Sequence, residues 1–461
     1  MLYRLIPRSQ NARVNGAKKL AAIMLGQLWL MGLCGCAHVS QPAGFPEVAA
    51  LPVQENFPDP LIMQNGQPVT TPDQWFKERR PELKALFQHY MYGELPPVPR
   101  AVRSVVTGEF HDFLGGKATL KLVRIETGTE KSAPKIQLML VIPKQHAARA
   151  PVFLAMDFCG NHAITPDPRV PMSERWMGKN CVGCIDHAAT EASRGSQATN
   201  WPVADIISRG YALATFYSGD IDSDRPEVSD GVYAWLRGED PGKNNPTNRG
   251  TIAAWAWGFQ RCVDYLVTDR DIAPSKIAVM GHSRNGKATI VAAAFDERIA
   301  LAFPHQAGSG GTSPSRGKIG ESVKAINDHF PHWFNAKFKE FNEQPEKLPF
   351  DQNCLLALCA PRPVLFSAAE QDQWSNPEGQ FEVLKAADKV YKFLGAKGLD
   401  PSVKPVLQAA GDSFPAGQLG FFMRPGRHST TVEDWQAFLD FADLQWRSPQ
   451  KVRTTSTSSQ K

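Results

Sequence analysis

A serine that attacks an ester carbonyl needs exposure on a tight turn, a base for its proton, and donors for the oxyanion it creates. Ser283 has the right setting. The stretch KIAVMGHSRNGKAT, residues 276–289, reads as an apolar strand, a sharp turn and a helix start, with the serine at the turn. Gly281 lets the strand turn close to its neighbour, and the N-terminus of the following helix favours negative charge beside the serine. The motif departs from G-x-S-x-G. In Gly281-His282-Ser283-Arg284-Asn285-Gly286 the second glycine comes one place late and a cation follows the serine. A serine that merely caps a βα turn would look similar, so the reading depends on partners further along the chain.

Folds with such a turn run in the order serine, acid, histidine. His305, His329, His332 and His428 follow Ser283. His428 lies in RPGRHSTTVEDW, a glycine-containing loop just before the last helix, and is the expected base. His329 and His332 flank an aromatic stretch, where they would pack or line a cleft. For the acid, the strand RPVLFSAA leads into a loop carrying Glu370 and Asp372. Asp372, beyond the strand end, could accept a hydrogen bond from Nδ1 of His428, fix its tautomer and stabilise the imidazolium. Glu370 is the reserve. The plain alternative is an Asx turn near Trp374 and Asn376.

These residues need a scaffold of buried strands. Apolar spacing over 71–93 predicts a helix, with Thr71 or Asp73 near its cap. RSVVTGEF, ATLKLVRIETG and KIQLMLVIP alternate as antiparallel strands do. APVFLAMDF (150–158), YALATFYSGD (211–220), KIAVMG, RIALAFPH (298–305) and RPVLFSAAEQD (362–372) are continuous apolar runs, with helices at 251–269 and 431–446. Buried strands alternating with helices indicate an α/β class with a mostly parallel sheet.

Taken together, GHSRNGKA, RIALAFPHQAGSGG, FPHWF, LPFDQNCLLALCAPRPVLFSAAEQDQW and PGRH resemble the glucuronoyl esterases of carbohydrate esterase family 15, in matching order over roughly residues 70–447. The resemblance implies an α/β-hydrolase fold, a three-layer α/β/α sandwich, and a metal-free, cofactor-free serine esterase. Its substrates would be esters between 4-O-methyl-glucuronic acid of xylan and lignin alcohols. It implies Ser283 as nucleophile, His428 as base, Arg284 as an oxyanion ligand, and Lys287, Glu321 and Trp374 as sugar-binding residues. A fixed guanidinium would stabilise the oxyanion more than the ground state. The sequence departs from the family at one point. Many members carry their acid as Glu in P-Q-E-S-G-S-G-G. Here the stretch from Pro304 to Gly311 is PHQAGSGG, and Gln306 replaces the glutamate. Asp372, at the position some bacterial members use, is therefore the expected acid. The alternatives are an esterase for another acylated plant or algal polysaccharide, and a carbohydrate-binding lipoprotein impaired by the loss at Gln306.

The 461-residue chain divides into a leader, one large domain and a tail. Arg4, Arg8, Arg13, Lys18 and Lys19 precede the apolar run LAAIMLGQLWLMGL, a signal-peptide pattern too short for a membrane span. It ends in Leu33-Cys34-Gly35-Cys36, which resembles a bacterial lipobox with Cys36 as the lipidated residue. The expected divisions are a signal at 1–36, a linker at 37–55, a catalytic domain at 56–447 and a polar, disordered tail at 448–461. Without the five leader cations, 46 basic residues balance 46 acidic ones. Nothing points to a nucleic-acid partner, and membrane association would come only through the lipid. An exported monomer, periplasmic, outer-membrane or secreted, is expected. Six cysteines remain after the leader. Cys181-x-x-Cys184 reads as part of a structural loop disulfide or as free thiols, since a zinc site would lack its second half.

Overall fold

The structure is a computed structural model and describes residues 44–99, 102–145, 148–227, 230–239 and 248–446. The leader, Cys36 and the tail after 446 lie outside the described residues.

Strands β1 (Arg103–Asp112), β2 (Ala118–Glu126) and β3 (Lys135–Pro143) form an antiparallel meander. Then come β4 (Ala150–Asp157), β5 (Ala212–Tyr217), β6 (Ile272–His282), β7 (Leu301–His305), β8 (Val364–Ala369) and β9 (Leu419–Arg424). The described strands make one sheet in the order β1-β2-β3-β5-β4-β6-β7-β8-β9. β5 joins β3 antiparallel, and every pair from β5 to β9 is parallel. Every residue of β5, β7 and β8 is buried, which is why these runs are apolar without alternation. β9 has no counterpart among the strands expected from the sequence, although LGFFMR carries a similar apolar run.

Helices cover both faces, which gives the three layers. One face packs Arg80–Phe87, Thr251–Leu266, Arg284–Phe295 and Pro377–Phe393 onto the sheet, with Trp255 and Trp257 fully buried. The other face packs Val203–Ser208 and Val432–Trp446 around Trp435 and Phe438. This is the α/β-hydrolase arrangement. From β4 the chain crosses to β5 on one side and later to β6 on the other. The order reverses there, the point at which open α/β sheets place their binding sites, beyond the carboxyl ends of the strands.

The expected first helix starts as read. Thr71 caps it by accepting from the Gln74 amide at 3.1 Å, with Pro72 at the first position, and it widens into π turns at Trp75–Arg79 and Gln88–Tyr92. The segment expected as linker differs over its described part. Val48 and Leu51 are buried in the core, the Tyr90 hydroxyl donates to the Pro46 carbonyl, and the Gln54 amide donates to the Glu346 carbonyl. Short apolar stretches gain more by filling a gap beside the core than by staying in water. Cys181 pairs with Cys159 rather than with Cys184, which remains a free thiol.

Candidate active site

Four strand ends bring the candidate residues together. Ser283 follows β6, Gln306 follows β7, Asp372 follows β8 and His428 follows β9. Ser283 adopts φ 57°, ψ −123° between β6 and the helix Arg284–Phe295. A side chain at Gly281 would lie 2.4 Å from the Asn285 carbonyl oxygen. One at Gly286 would lie 2.9 Å from the carbonyl oxygens of Gly281 and His305. The late glycine is thus required by the close passage of the helix over β6 and β7.

His428 Nδ1 donates to Asp372 Oδ2 at 2.6 Å. Asp372 is 5% exposed and His428 38%. Burial pushes the Asp372 carboxyl up, but hydrogen bonding and charge from His428, with Ser375, outweigh it and hold the group below the usual carboxylate range. Glu370 is exposed, and it is Asp372 that meets the histidine. Among the described residues no hydrogen bond joins Ser283 Oγ to His428; such contacts commonly tighten only with substrate present.

Gln306 does not reach the base directly. Its Oε1 accepts the Ser429 amide at 3.0 Å, one residue beyond His428. The Ser429 carbonyl accepts from His305 Nε2 at 3.0 Å and from Arg424 Nη2 at 2.7 Å, and Arg424 is braced by Asp434. Three buried side chains therefore clamp the residue next to His428. The His282 ring lies between those of His305 and His428, tilted to both, with centroids 4.9 and 4.5 Å away, and burial with those neighbouring rings keeps it neutral.

The Arg284 guanidinium pairs with Asp224 and lies over the stacked rings of Phe330 and Trp333, at 5.3 and 4.9 Å. Asp224 also accepts from His332 Nε2 at 2.9 Å and Trp333 Nε1 at 2.8 Å. Burial would raise its pKa, but His332, Arg284 and Trp333 bring it down to about 2. Sequence reading missed Asp224; an acid lying 60 residues before its arginine leaves no local pattern. Arg284 Nε is a buried donor with no partner among the described residues.

Lys287 is buried, and its ammonium donates to the carbonyls of Ala307 and Ser309 at 2.6 and 2.7 Å. Burial lowers its pKa to about 8, against the pull of Glu321 and Asp372. The Glu321 amide donates to the Trp374 carbonyl at 3.0 Å, so these two residues come from one joined pair of loops, and the Trp374 side chain is exposed. The β4 to β6 register, Ala155 opposite Met280, sets Asp157 level with His282. Phe158, in the turn after β4, meets the His282 ring edge-on with centroids 6.1 Å apart.

Comparisons with known proteins agree with this geometry. A family profile described as "Glucuronyl esterase, fungi" matches residues 207–395. The chain is 40% identical over 406 residues to Carbohydrate esterase MZ0003 of an unknown prokaryotic organism, covering 88% of this chain and 93% of that one. It is similar to a structure described as a promiscuous CE15 esterase from a marine bacterial metagenome, with TM-score 0.78, 40% identity and coverage of 87% and 100%. A glucuronoyl esterase structure from Solibacter usitatus gives TM-score 0.78 at 37% identity, covering 86% and 100%.

Proposed function

Because the chain belongs to the glucuronoyl esterases of carbohydrate esterase family 15, we propose that it cleaves esters between glucuronic acid side groups of xylan and lignin alcohols by a Ser283–His428–Asp372 mechanism. Ser283 Oγ attacks the carbonyl while His428 Nε2 takes its proton. Asp372 holds the tautomer and stabilises the imidazolium. The backbone amide of Arg284, with the guanidinium that Asp224 and the aromatic pair hold in place, receives the oxyanion. His428 then gives its proton to the departing alcohol oxygen, and the ester C–O bond breaks to leave an acyl-serine. Water, deprotonated by His428, releases the uronate. Lys287, Glu321 and Trp374 meet the sugar.

The observation that carries this reading is the 2.6 Å contact between His428 Nδ1 and Asp372, made where Gln306 cannot supply a charge. The direct test compares turnover of methyl glucuronate and acetylated xylan by the native protein and by Ser283→Ala. Faster turnover of the glucuronate, lost in the variant, is expected; preference for acetylated xylan would point to an acetyl esterase. The leader pattern supports export with a lipid on Cys36. Incorporation of labelled palmitate that vanishes in Cys36→Ser is the expected result.

A further inference from the structure

Strand ends meet at a second place, beyond β3 and β5. β3 runs against β5 with Met139 opposite Thr215, and the same register carried two residues on sets Gln137 opposite Tyr217. The start of β3 therefore stands at the end of the sheet where the parallel strands finish, three strand spacings or roughly 14 Å from β6. A cavity of about 480 Å³ opens there, between β3 and the loop that follows β4. Volumes of this order hold small-molecule ligands. Lys131, Lys135 and Arg175 line it, and among the described residues no hydrogen bond or ion pair engages any of the three cationic heads. Cations elsewhere in the fold are paired, as Lys121 is with Asp269 and Arg424 with Asp434. Glu174 is exposed on the same rim and pairs with none of them. Asp220 closes the floor, where its Oδ2 accepts the Gln137 amide at 2.8 Å. Burial raises its pKa to about 7, against the pull of that amide and of Arg175, so below neutral pH it brings little opposing charge.

We propose that this cavity binds a carboxylate-bearing saccharide, as an accessory site separate from the ester-cleaving serine. The choice of a saccharide rests on the esterase reading above; the choice of an anion rests on the cavity alone. Like charges gathered around a concave wall repel one another until an anion joins them. The planar fork of Arg175 matches a carboxylate through two parallel hydrogen bonds, and the two lysines add point charge beside it. The side-chain amide of Gln137 and the hydroxyl of Ser132 are exposed on the same wall and make no hydrogen bond among the described residues. They are free to serve ring hydroxyls as donors and acceptors. Val170 and Met172 add an apolar stretch, against which the C–H face of a pyranose ring can pack. A uronic acid has a use for all three kinds of partner. A bare inorganic anion would leave the amide, the hydroxyl and the apolar stretch idle.

The experiment is calorimetric titration of the full chain with a glucuronate-substituted xylooligosaccharide, its unsubstituted counterpart and inorganic phosphate. Arg175→Ala and Lys135→Ala remove side chains whose heads hold nothing in the fold, and Lys131→Glu reverses a charge at an exposed position. Binding of the substituted oligosaccharide is expected to include a component that weakens about tenfold in each variant and also weakens with added salt. The unsubstituted compound and phosphate should bind at least about tenfold more weakly, and turnover of methyl glucuronate should stay within about twofold of native in all three variants. Unchanged binding in all three variants, or equal binding of the unsubstituted oligosaccharide, would overturn the anion site. Equal binding of phosphate would overturn the saccharide. Native protein that left methyl glucuronate intact, yet kept the charge-dependent binding, would remove the esterase reading and leave this site standing.

Discussion

Ser283 carries a positive φ that few side-chain-bearing residues adopt, and it is held there from both sides. Its amide donates to the His305 carbonyl at 2.9 Å, and its carbonyl accepts the Lys287 amide at 3.1 Å. Such strain costs on the order of 1–3 kcal/mol. Ser283→Gly should therefore abolish ester hydrolysis yet stabilise the fold by about 1 kcal/mol, read from urea unfolding; a destabilised variant would contradict strain at the elbow. At the acid, Asp372→Asn should cost about 10⁴-fold in kcat, and Gln306→Ala far less, since the glutamine acts only through Ser429. The reverse ranking would refute the assignment of Asp372 as the acid. Lys287 sets a third expectation. With its pKa lowered to about 8 by burial, its charge is lost through mildly alkaline pH. The pH profile of kcat/KM should show a decline near pH 8 that is missing in Lys287→Met, and persistence of that limb in the variant would dissociate it from the lysine.

At the scale of elements, the ends of β4 and β5 collect buried carboxyls. Asp157 accepts from the amides of Cys159 and Gly160 through Oδ1, while its Oδ2 is buried without a partner. Burial raises Asp157 to about 8, Asp220 to about 7 and Asp222 to about 8. Their folded pKa values exceed the unfolded value near 4, so the native state binds more protons than the unfolded chain between pH 4 and 8. The contribution of these three carboxyls then falls as pH rises through that window, while His162 and His282, whose folded values are lowered, give the opposite slope below about pH 6.5. Asp224 and Asp372, with lowered values, contribute stability that is fully present above about pH 4 and is lost only below it. Thermal unfolding should show Tm decreasing from about pH 6.5 to about pH 8, and Asp157→Asn should flatten the slope. A Tm that rose across this range would show that these carboxyls are solvated rather than buried. The strand runs themselves were legible, because full burial on both faces forces continuous apolar sequence. β9 was not: a six-residue run in a stretch rich in glycine and proline has no periodicity to separate it from loop.

For the whole molecule, the Cys159–Cys181 bond ties the segment after β4 to the Phe158 turn across 22 residues of sequence. Closing a loop of that length restricts the unfolded chain by about 3 kcal/mol. Cys159→Ser should lower Tm and also reduce kcat, because Phe158 lies next to the bridge; a fall in Tm alone would separate the bridge from the site. The turn at Ser283 is a linear feature, and the sequence by itself determined it. It also determined that Gln306 could not serve as an acid, since that is a matter of side-chain chemistry. Only the tertiary structure decided that Asp372 rather than Glu370 faces His428, that Asp224 holds Arg284, that Cys181 joins Cys159, and that Gln306 steadies the base through Ser429. Each of these joins residues far apart in the chain. Their meeting depends on strand order and register, which follow from packing the whole sheet rather than from any local pattern.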